Sequence, residues 1–288
     1  MSFTTLVSTE QLASHLAEWA IVDCRFDLAN DAWGREQYLT GHITGAVYAN
    51  LNEDLSGPRT GTNGRHPMPS DDALTATLRR LGIANDAQVV VYDQDSGLYA
   101  GRVWWLLRYA GHRAVALLDG GFAKWTAEGR PVRAGAESRP ASSFQPAFDR
   151  TMHVPVDDVA RRAADGRTLL VDARGPDRFE GRAETIDKVA GHIPGAANRF
   201  YRTNLAPDGT MLPPGALREQ FTELLDGRDP RDAVMYCGSG VSACHNLLAM
   251  EHAGLPGSPL YVGSWSEWSS DPGRPIETGT ARRKGDGA

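Results

Sequence analysis

Short apolar runs alternate with amphipathic segments along most of this chain. In the second half, "TLLVDA" (168–173) and "DAVMYC" (232–237) have strand length and predict buried strands. Segment 242–254, "SACHNLLAMEHAG", places apolar residues on one helical face and ends at a glycine, so it predicts a helix. The run "GRVWWLLRYAG" (101–111) predicts a helix in the first half. This alternation is typical of parallel sheets flanked by helices, an α/β fold.

The pattern occurs twice along the chain. Four segments recur in the same order in the two halves: 21–27 with 170–177, 41–46 with 191–196, 89–93 with 233–237, and 120–132 with 263–276. A repeat of this length is domain-sized, so it predicts two copies of one domain rather than a solenoid. The expected organisation is a first domain at 1–138, a linker at 139–152, a second domain at 153–278 and a flexible tail at 279–288.

Composition narrows the function classes. The net charge of −6 argues against a nucleic-acid partner, because phosphate neutralisation needs a basic surface. No apolar run reaches the roughly 18 residues that span a bilayer, and the N-terminal segment does not resemble a signal peptide. Three cysteines do not make a disulfide framework, so a reducing cytoplasm is the expected location. The spacing of Cys237 and Cys244 also predicts no zinc site.

One cysteine stands where α/β proteins do their chemistry. In "CGSGVS", Cys237 follows a predicted strand and precedes a predicted helix, at a strand end of the kind where parallel sheets bind ligands. Gly238 and Gly240 allow the loop to curl, so that backbone N–H groups through Val241 and Ser242 form a cradle for negative charge. An exposed, readily ionised thiol is expected there. The alternative is a buried structural cysteine.

The first copy carries Asp93 at the position of Cys237. A carboxylate does not accept sulfur as a thiolate does. We therefore expect an inactive first domain beside a catalytic second domain.

The tandem layout, both GHI-x-GA segments and "CGSGVSA" resemble the two-domain sulfurtransferases of the rhodanese superfamily, over about residues 5–277. The resemblance implies two rhodanese-like domains. It implies that Cys237 takes sulfur from a donor as a persulfide and passes it to a thiol, to cyanide, or to a protein such as thioredoxin or a sulfur carrier. It implies neither a metal nor an organic cofactor.

The loop composition bears on the donor. Members specialised for thiosulfate, a dianion, resemble Cys-Arg-Lys-Gly-Val-Thr, whereas Gly238 and Ser239 stand here in place of the two cations. "CGSGV" is similar to the mercaptopyruvate enzymes, whose donor has one carboxylate. The resemblance thus favours 3-mercaptopyruvate, with thiosulfate as the alternative. It implies that Ser239 bonds the substrate or passes a proton, although a turn serine that caps the helix is equally compatible.

The resemblance also implies cationic substrate-binding residues. Arg178 matches the family's substrate-binding arginine, and Arg174 lies at another position that is rich in arginine. Animal mercaptopyruvate enzymes have a second arginine nine residues after the first, where this chain has Asp187 in a shorter loop. Arg182 lies near that position and is the expected substitute.

A catalytic relay is the last implied feature. The animal enzymes have an Asp–His–Ser relay, of which Ser239 matches the serine and His66 matches the histidine. Asn52 falls at the aspartate position, and an amide does not stabilise a histidine cation as a carboxylate does. Whether His66 takes part is left open, because a solvated loop histidine is the alternative.

Two readings from other classes are weaker. Cys-based phosphatases resemble His-Cys-x5-Arg, but Tyr236 precedes this cysteine and Ala243 occupies the arginine position. A non-catalytic sulfur-carrier module would not need the complete loop that follows Cys237.

Overall fold

The computed structural model describes residues 2–165 and 167–280. These residues form two compact units. The first comprises residues 2–57, 68–150 and 205–212, and the second comprises 58–67, 151–204 and 213–280, with residue 166 left out. Of the tail that is predicted to be flexible, residues 281–288 lie outside the described residues.

The first unit is built on a parallel sheet. Its strands are β1 (Leu6–Val7), β2 (Ala20–Asp23), β3 (His42–Ile43), β4 (Ala46–Tyr48), β5 (Val89–Tyr92), β6 (Val115–Leu118) and β7 (Val132–Arg133). Its helices are α1 (Thr9–Ala13), α2 (Trp33–Thr40), α3 (Asp71–Arg80), α4 (Ala100–Tyr109) and α5 (Gly121–Ala127). Five strands pair in parallel in the order β1-β6-β5-β2-β4, and β3 pairs with β7 in an antiparallel ribbon.

The second unit repeats the central part of this plan. Its strands are β8 (Leu169–Asp172), β9 (Ala197–Asn198) and β10 (Ala233–Tyr236). Its helices are α6 (Val156–Asp165), α7 (Pro176–Phe179), α8 (Pro214–Leu225), α9 (Ser242–His252) and α10 (Ser264–Trp268). Short 3₁₀ turns occur at Arg150–Met152, Tyr201–Asn204 and Pro230–Asp232. The strands pair in parallel in the order β10-β8-β9, so the predicted α/β fold with two sheet domains is confirmed.

Each unit has its own apolar core. In the first unit, Val90 and Trp125 have no exposed surface, and in the second Val234 and Trp265 have none. Burial of an apolar side chain of this size contributes about 1.5–3 kcal/mol. These cores hold the strand ends, and therefore the loops that follow them, in fixed positions.

Two segments belong to a different unit from the one that their position in the sequence suggests. Residues 58–67, inside the first repeat, belong to the second unit, where the Arg65 N–H donates to Ser266 Oγ at 3.0 Å. Residues 205–212 belong to the first unit, where Asp119 Oδ1 accepts from the Met211 N–H at 2.8 Å. Sequence order alone does not reveal such an exchange.

The segment predicted as a linker is ordered along the first unit. Phe144 is completely buried. The N–H groups of Ser142 and Ala147 donate to the carbonyls of Arg79 and Ala110, each at 2.9 Å. This stretch is extended and packed rather than loose. Among the described residues, no helix combines the length and the apolarity that crossing a membrane demands.

Candidate active site

The Cys237 loop is anchored by the residues at the start of α10. The Cys237 N–H donates to Ser264 Oγ at 3.1 Å, and the Cys237 carbonyl accepts from the Trp265 N–H at 2.9 Å. The Gly238 carbonyl accepts from the Ser266 N–H at 2.9 Å. The turn between β10 and α9 is therefore held from one side by backbone hydrogen bonds.

The sequence predicts an exposed thiol, but Cys237, the predicted nucleophile, is only 2% exposed. The loop lies under distant side chains. A Cβ atom placed on Gly238 would lie 2.8 Å from Arg65 Nη2 and 3.5 Å from Arg178 Nη2, so both guanidinium groups approach the loop directly beside the nucleophile. The expectation of an exposed turn is wrong because these groups come from segments far from the loop in sequence.

A buried anion needs donors around it, and the loop has them. Burying a charge is costly unless hydrogen-bond donors or opposite charges surround it. Within the described part of the chain, the N–H groups of Gly238, Ser239, Val241 and Ser242 have no hydrogen-bond acceptor. The first N–H groups of a helix are without intrahelical partners, and the helix dipole favours negative charge there.

The corresponding turn of the first unit, residues 93–99 against 237–241, is longer and surrounds a buried carboxyl group. Asp93 is 1% exposed and accepts from the N–H of Gly97 at 2.9 Å, of Tyr99 at 2.7 Å and of Ala100 at 3.1 Å. Burial raises the pKa of Asp93, although these three amides act in the opposite direction. The turn after β5 is thus a cradle of amides around a carboxylate.

Strand register relates this carboxylate to the nucleophile. Tyr92 pairs with Asp23 in the first sheet, and Tyr236 pairs with Asp172 in the second. The residue after each tyrosine, Asp93 or Cys237, therefore starts the same kind of turn. In the second unit a sulfur takes the place of the carboxylate.

Arg174 is bound within the core, contrary to the predicted role in substrate binding. Its guanidinium is 1% exposed and donates to Asp172 through Nη2 at 2.7 Å and to the Gly191 carbonyl at 2.7 Å. The first unit has the same arrangement, with Arg25 bound to Asp23 at 2.7 Å. A pair that recurs in the copy without the cysteine supports the fold, so we withdraw the substrate-binding assignment of Arg174.

Arg178 and Arg65 form a pair across the loop. Arg178 Nη2 donates to Asp187 Oδ2 at 2.9 Å, and Arg65 Nη1 donates to the other oxygen of the same carboxylate. Arg178 Nε donates to both carboxylate oxygens of Glu184, at 3.0 and 3.1 Å. Acidic residues therefore orient both guanidinium groups.

The two acidic partners differ in their electrostatics. Burial raises the pKa of Asp187, although Arg65 and Arg178 oppose this shift. Burial also acts to raise the pKa of Glu184, but hydrogen bonds to its carboxylate outweigh this effect. The N–H groups of Asp187 and Ile186 and the Arg178 guanidinium together lower the pKa of Glu184. The lowered pKa means that Glu184 holds the Arg178 guanidinium as a carboxylate.

His66 and Ser239 are in contact. His66 Nδ1 lies 2.8 Å from Ser239 Oγ, and the two residues are 1% and 6% exposed. The alternative of a solvated loop histidine is therefore wrong. Asn52, at the expected aspartate position, lies in the first unit, where its N–H donates to Asn50 Oδ1 at 2.8 Å.

Arg182 lies apart from the arginine pair. Its guanidinium is 61% exposed and forms ion pairs with Asp177 at 2.7 Å and Glu180 at 2.6 Å. Its neighbours are thus acidic groups of its own turn. The second guanidinium group beside Gly238 belongs instead to Arg65, from a segment more than a hundred residues earlier.

The glycines of the loop have separate structural reasons. Gly240 has φ +72°, and a Cβ there would lie 2.3 Å from the Val262 carbonyl oxygen. Gly238 instead leaves room for the two guanidinium groups. Gly240 therefore shapes the backbone, whereas Gly238 keeps open the space beside the sulfur.

Sequence reasoning missed Ser264. It has φ 54°, it is fully buried, and its Oγ accepts from the Cys237 N–H. In the first unit Gly121 begins the equivalent helix with φ +57°. The aligned repeats 120–132 and 263–276 contain this signal, because serine replaces a glycine whose left-handed backbone is retained.

A cavity of about 360 Å³ borders the arginine pair within the second unit. Arg59, Lys188 and Ser266 are among the residues that line it, together with Arg65 and Asp187. Among the described residues, no cluster of three or more His, Cys, Asp or Glu side chains is arranged to hold a metal ion. Cys24, Cys237 and Cys244 are all buried, and within the described residues they form no disulfide bond.

Comparison with known proteins identifies the family. The model of the rhodanese-like domain matches residues 8–128 and 155–271. The "Probable 3-mercaptopyruvate sulfurtransferase" of Pseudomonas aeruginosa is 44% identical over 283 residues, which cover 97% of this chain and 100% of that protein. The "Putative thiosulfate sulfurtransferase SseB" of Mycobacterium tuberculosis is 42% identical, with 91% and 92% covered.

A solved structure has the same architecture. The 3-mercaptopyruvate sulfurtransferase from Leishmania major superposes with a TM-score of 0.83 at 32% identity, over 92% of this chain and 74% of that one. Two matched domains, full-length relatives and a shared fold agree with one another. The chain belongs to the tandem rhodanese-domain sulfurtransferases.

Proposed function

We propose that this sulfurtransferase moves a sulfane sulfur from 3-mercaptopyruvate, through a persulfide on Cys237, to a thiol, cyanide or protein acceptor. The observation that carries this donor assignment is the 2.8 Å contact of Ser239 Oγ with His66 Nδ1, two residues from the nucleophile. A relative that is 44% identical has a name with the same donor. The absence of loop cations at Gly238 and Ser239 supports the same assignment.

The first half-reaction breaks a carbon–sulfur bond. The Cys237 thiolate attacks the donor sulfur and forms a sulfur–sulfur bond, and the electron pair of the broken bond passes to carbon. The carbon fragment leaves as the enolate of pyruvate and takes up one proton, while the donor thiol releases its own proton, so the half-reaction consumes no net proton. The enzyme retains Cys–S–S⁻, which a second nucleophile then attacks at its outer sulfur.

Ser239 and His66 are the groups that supply the proton. The Ser239 hydroxyl donates toward the leaving carbon fragment, and His66 Nδ1 is within hydrogen-bond distance to replace that proton. The pair is buried, so bulk water does not compete for the same hydrogen bonds. The pair acts as a short relay, and no third member is assigned.

Arg178 and Arg65 bind the donor carboxylate. Arg65 Nη2 and the Nη groups of Arg178 approach Gly238, and a planar guanidinium matches a planar carboxylate. This places the carboxylate beside the sulfur to be attacked. The loop amides then stabilise the persulfide anion, as the equivalent amides hold Asp93 in the first unit.

Thiosulfate is the second candidate donor, and one observation favours it. Two guanidinium groups lie over Gly238 although the loop contains no cation of its own. A dianion benefits from two positive charges, and the relative from Mycobacterium tuberculosis has a thiosulfate name. With thiosulfate a sulfur–sulfur bond breaks and sulfite leaves.

The acceptor is assigned by its chemistry alone. A nucleophile must reach a sulfur that is almost buried, so a small thiol, cyanide, or a protein with a projecting thiol fits the second half-reaction. Thioredoxin or a sulfur carrier is such a protein. A reducing cytoplasm supplies these thiols and suits three cysteines that form no disulfide bond within the described residues.

Steady-state kinetics test the donor. The expected result is a higher kcat/KM with 3-mercaptopyruvate than with thiosulfate at the same pH and with the same acceptor. Cys237→Ala is the control and should turn over neither donor. Faster turnover of thiosulfate would replace the proposed donor, and hydrolysis of an aryl phosphate that depends on Cys237 would instead indicate a phosphatase.

A further inference from the structure

Asp187 joins the two arginines that lie over the nucleophile loop. Its Oδ2 accepts from Arg178 Nη2 at 2.9 Å, and its Oδ1 accepts from Arg65 Nη1. The Asp187 side chain is 5% exposed, so little water screens these contacts. One carboxylate therefore holds two guanidinium groups that come from segments far apart in the sequence.

Each arginine keeps one end directed at the loop. Arg65 Nη2 lies 2.8 Å, and Arg178 Nη1 3.6 Å, from a Cβ built on Gly238. Within the described residues these two nitrogens have no hydrogen-bond partner. Asp187 thus binds Arg65 Nη1 and Arg178 Nη2, and it leaves Arg65 Nη2 and Arg178 Nη1 available to a ligand beside Gly238.

The charged side chains in the ion-pair network around Asp187 are equal in number and opposite in sign before any donor binds. Ion pairs link three arginines to three carboxylates: Arg65, Arg174 and Arg178 with Asp172, Glu184 and Asp187. Removal of the Asp187 charge would leave one net positive charge directly beside Gly238. Asp172 and Glu184 each contact Arg174, so Asp187 is the acid shared only by the two arginines over the loop.

We propose that Asp187 sets the charge preference of the site, because it completes the neutralisation of the two guanidinium groups over the loop and so disfavours a dianion relative to a donor with a single negative charge. This inference rests on the proposed function for the identity of the donors. Asp187 is a positioning residue, since it acts through Arg65 and Arg178.

Electrostatics give the sign of the expected change. Loss of one negative charge near the bound donor stabilises each negative charge of that donor, by an amount set by distance and screening. Thiosulfate has two negative charges and the carboxylate of mercaptopyruvate has one, so thiosulfate gains more. We expect Asp187→Asn to raise the ratio of kcat/KM for thiosulfate to kcat/KM for 3-mercaptopyruvate by about tenfold.

Matched variants isolate this charge. Asp187→Glu keeps the charge and should restore the wild-type ratio. Asp177→Asn removes an equal charge from an exposed carboxylate that pairs with Arg182, and should leave the ratio within about twofold. The ratio is taken within each variant, so a smaller folded fraction does not change it. An unchanged ratio in Asp187→Asn, or an equal rise in Asp177→Asn, would overturn the inference.

A binding measurement separates this inference from the proposed function. Sulfate, a dianion, and acetate, a monoanion, are added at equal ionic strength, and the shift in Tm is measured. Sulfate should raise the Tm of Asp187→Asn more than it raises the Tm of wild type and of Asp187→Glu. The corresponding difference between the variants should be smaller with acetate. If the wild type turned over neither donor, the proposed function would fail, but the Tm shifts would still test whether Asp187 controls the binding of dianions. Equal sulfate shifts in all three proteins would overturn the role of Asp187.

Discussion

His66 Nδ1 lies 2.8 Å from Ser239 Oγ, and both side chains are buried beside the nucleophile loop. His66 belongs to the first sequence repeat, yet its segment, residues 58–67, packs in the second unit with Ser239. The contact joins a proton-carrying ring to a hydroxyl two residues from Cys237. In the proposed function, this contact is the feature on which the choice of donor rests.

Ser239→Ala should slow the reaction of one donor selectively. The enolate from 3-mercaptopyruvate requires a proton, whereas sulfite from thiosulfate leaves without one. We expect kcat for 3-mercaptopyruvate to fall by about 10²-fold and kcat for thiosulfate to change by only a few-fold. Steady-state assays with both donors measure this, and His66→Ala should show the same asymmetry. Equal losses for the two donors would contradict the proton role.

The two loop glycines should respond differently to alanine. A Cβ on Gly240 meets the Val262 carbonyl at 2.3 Å with φ +72°, so Gly240→Ala should destabilise the protein by more than about 1 kcal/mol. A Cβ on Gly238 meets the flexible end of Arg65, so Gly238→Ala should raise KM with a smaller loss of stability. Urea unfolding and donor kinetics distinguish the two, and an identical response would be inconsistent with this account.

Arg174 and Arg178 should have separate effects. Arg174→Ala leaves buried Asp172 without its partner and should cost about 3–5 kcal/mol of unfolding free energy. Arg178→Ala should cost less, since Glu184 retains two backbone N–H donors, but should raise KM for the donor at least about tenfold.

Arg25→Ala is the matched control for Arg174. It breaks the equivalent buried pair with Asp23, so it should destabilise the first unit in the same way. The variant should still accept sulfur on Cys237 under conditions in which it is folded. A purely kinetic effect of Arg174→Ala, with normal stability, would restore Arg174 as a substrate-binding residue.

Asp93 should link stability to pH. Burial raises the pKa of Asp93, so between its ordinary value and its folded value the folded protein binds more protons than the unfolded chain. Its contribution to stability is therefore complete at lower pH and declines as pH rises through the folded value.

Removal of the carboxylate tests this linkage. Asp93→Ala leaves three buried N–H groups without their acceptor, which costs about 1–3 kcal/mol for each unsatisfied group. The stability difference between wild type and Asp93→Ala, measured by urea unfolding across acidic pH, should shrink as pH rises. A difference that grows with pH would mean that the amides hold the carboxylate more strongly than burial opposes it.

The sequence predicts where Cys237 lies in the fold better than it predicts which residues bury Cys237. Repeated segments and apolar runs place Cys237 after a buried strand, because strand length and turn chemistry are local properties. The burial of Cys237 is not local, since Arg65 and His66 come from a segment that packs with the other repeat. The alternation of apolar and polar residues does not show that residues 58–67 pack in the second unit.

The local sequence does not distinguish a structural arginine from one that faces the loop. Arg174 and Arg178 lie four residues apart, and only the structure shows that one forms a buried pair while the other lies over Gly238. The recurrence of Arg25 two residues after Asp23 was the available signal, because the copy without the cysteine has the same buried ion pair. Asp187 has no such counterpart, and its role depends on where two distant arginines meet.

The transfer of sulfur to Cys237 is the central claim, and intact-mass analysis after incubation with 3-mercaptopyruvate tests it most directly. The account predicts a gain of one sulfur atom that a thiol removes. The gain should be absent in Cys237→Ala and retained in Cys244→Ala, the other cysteine near the loop. No gain from either 3-mercaptopyruvate or thiosulfate, or a gain that survives Cys237→Ala, would contradict it.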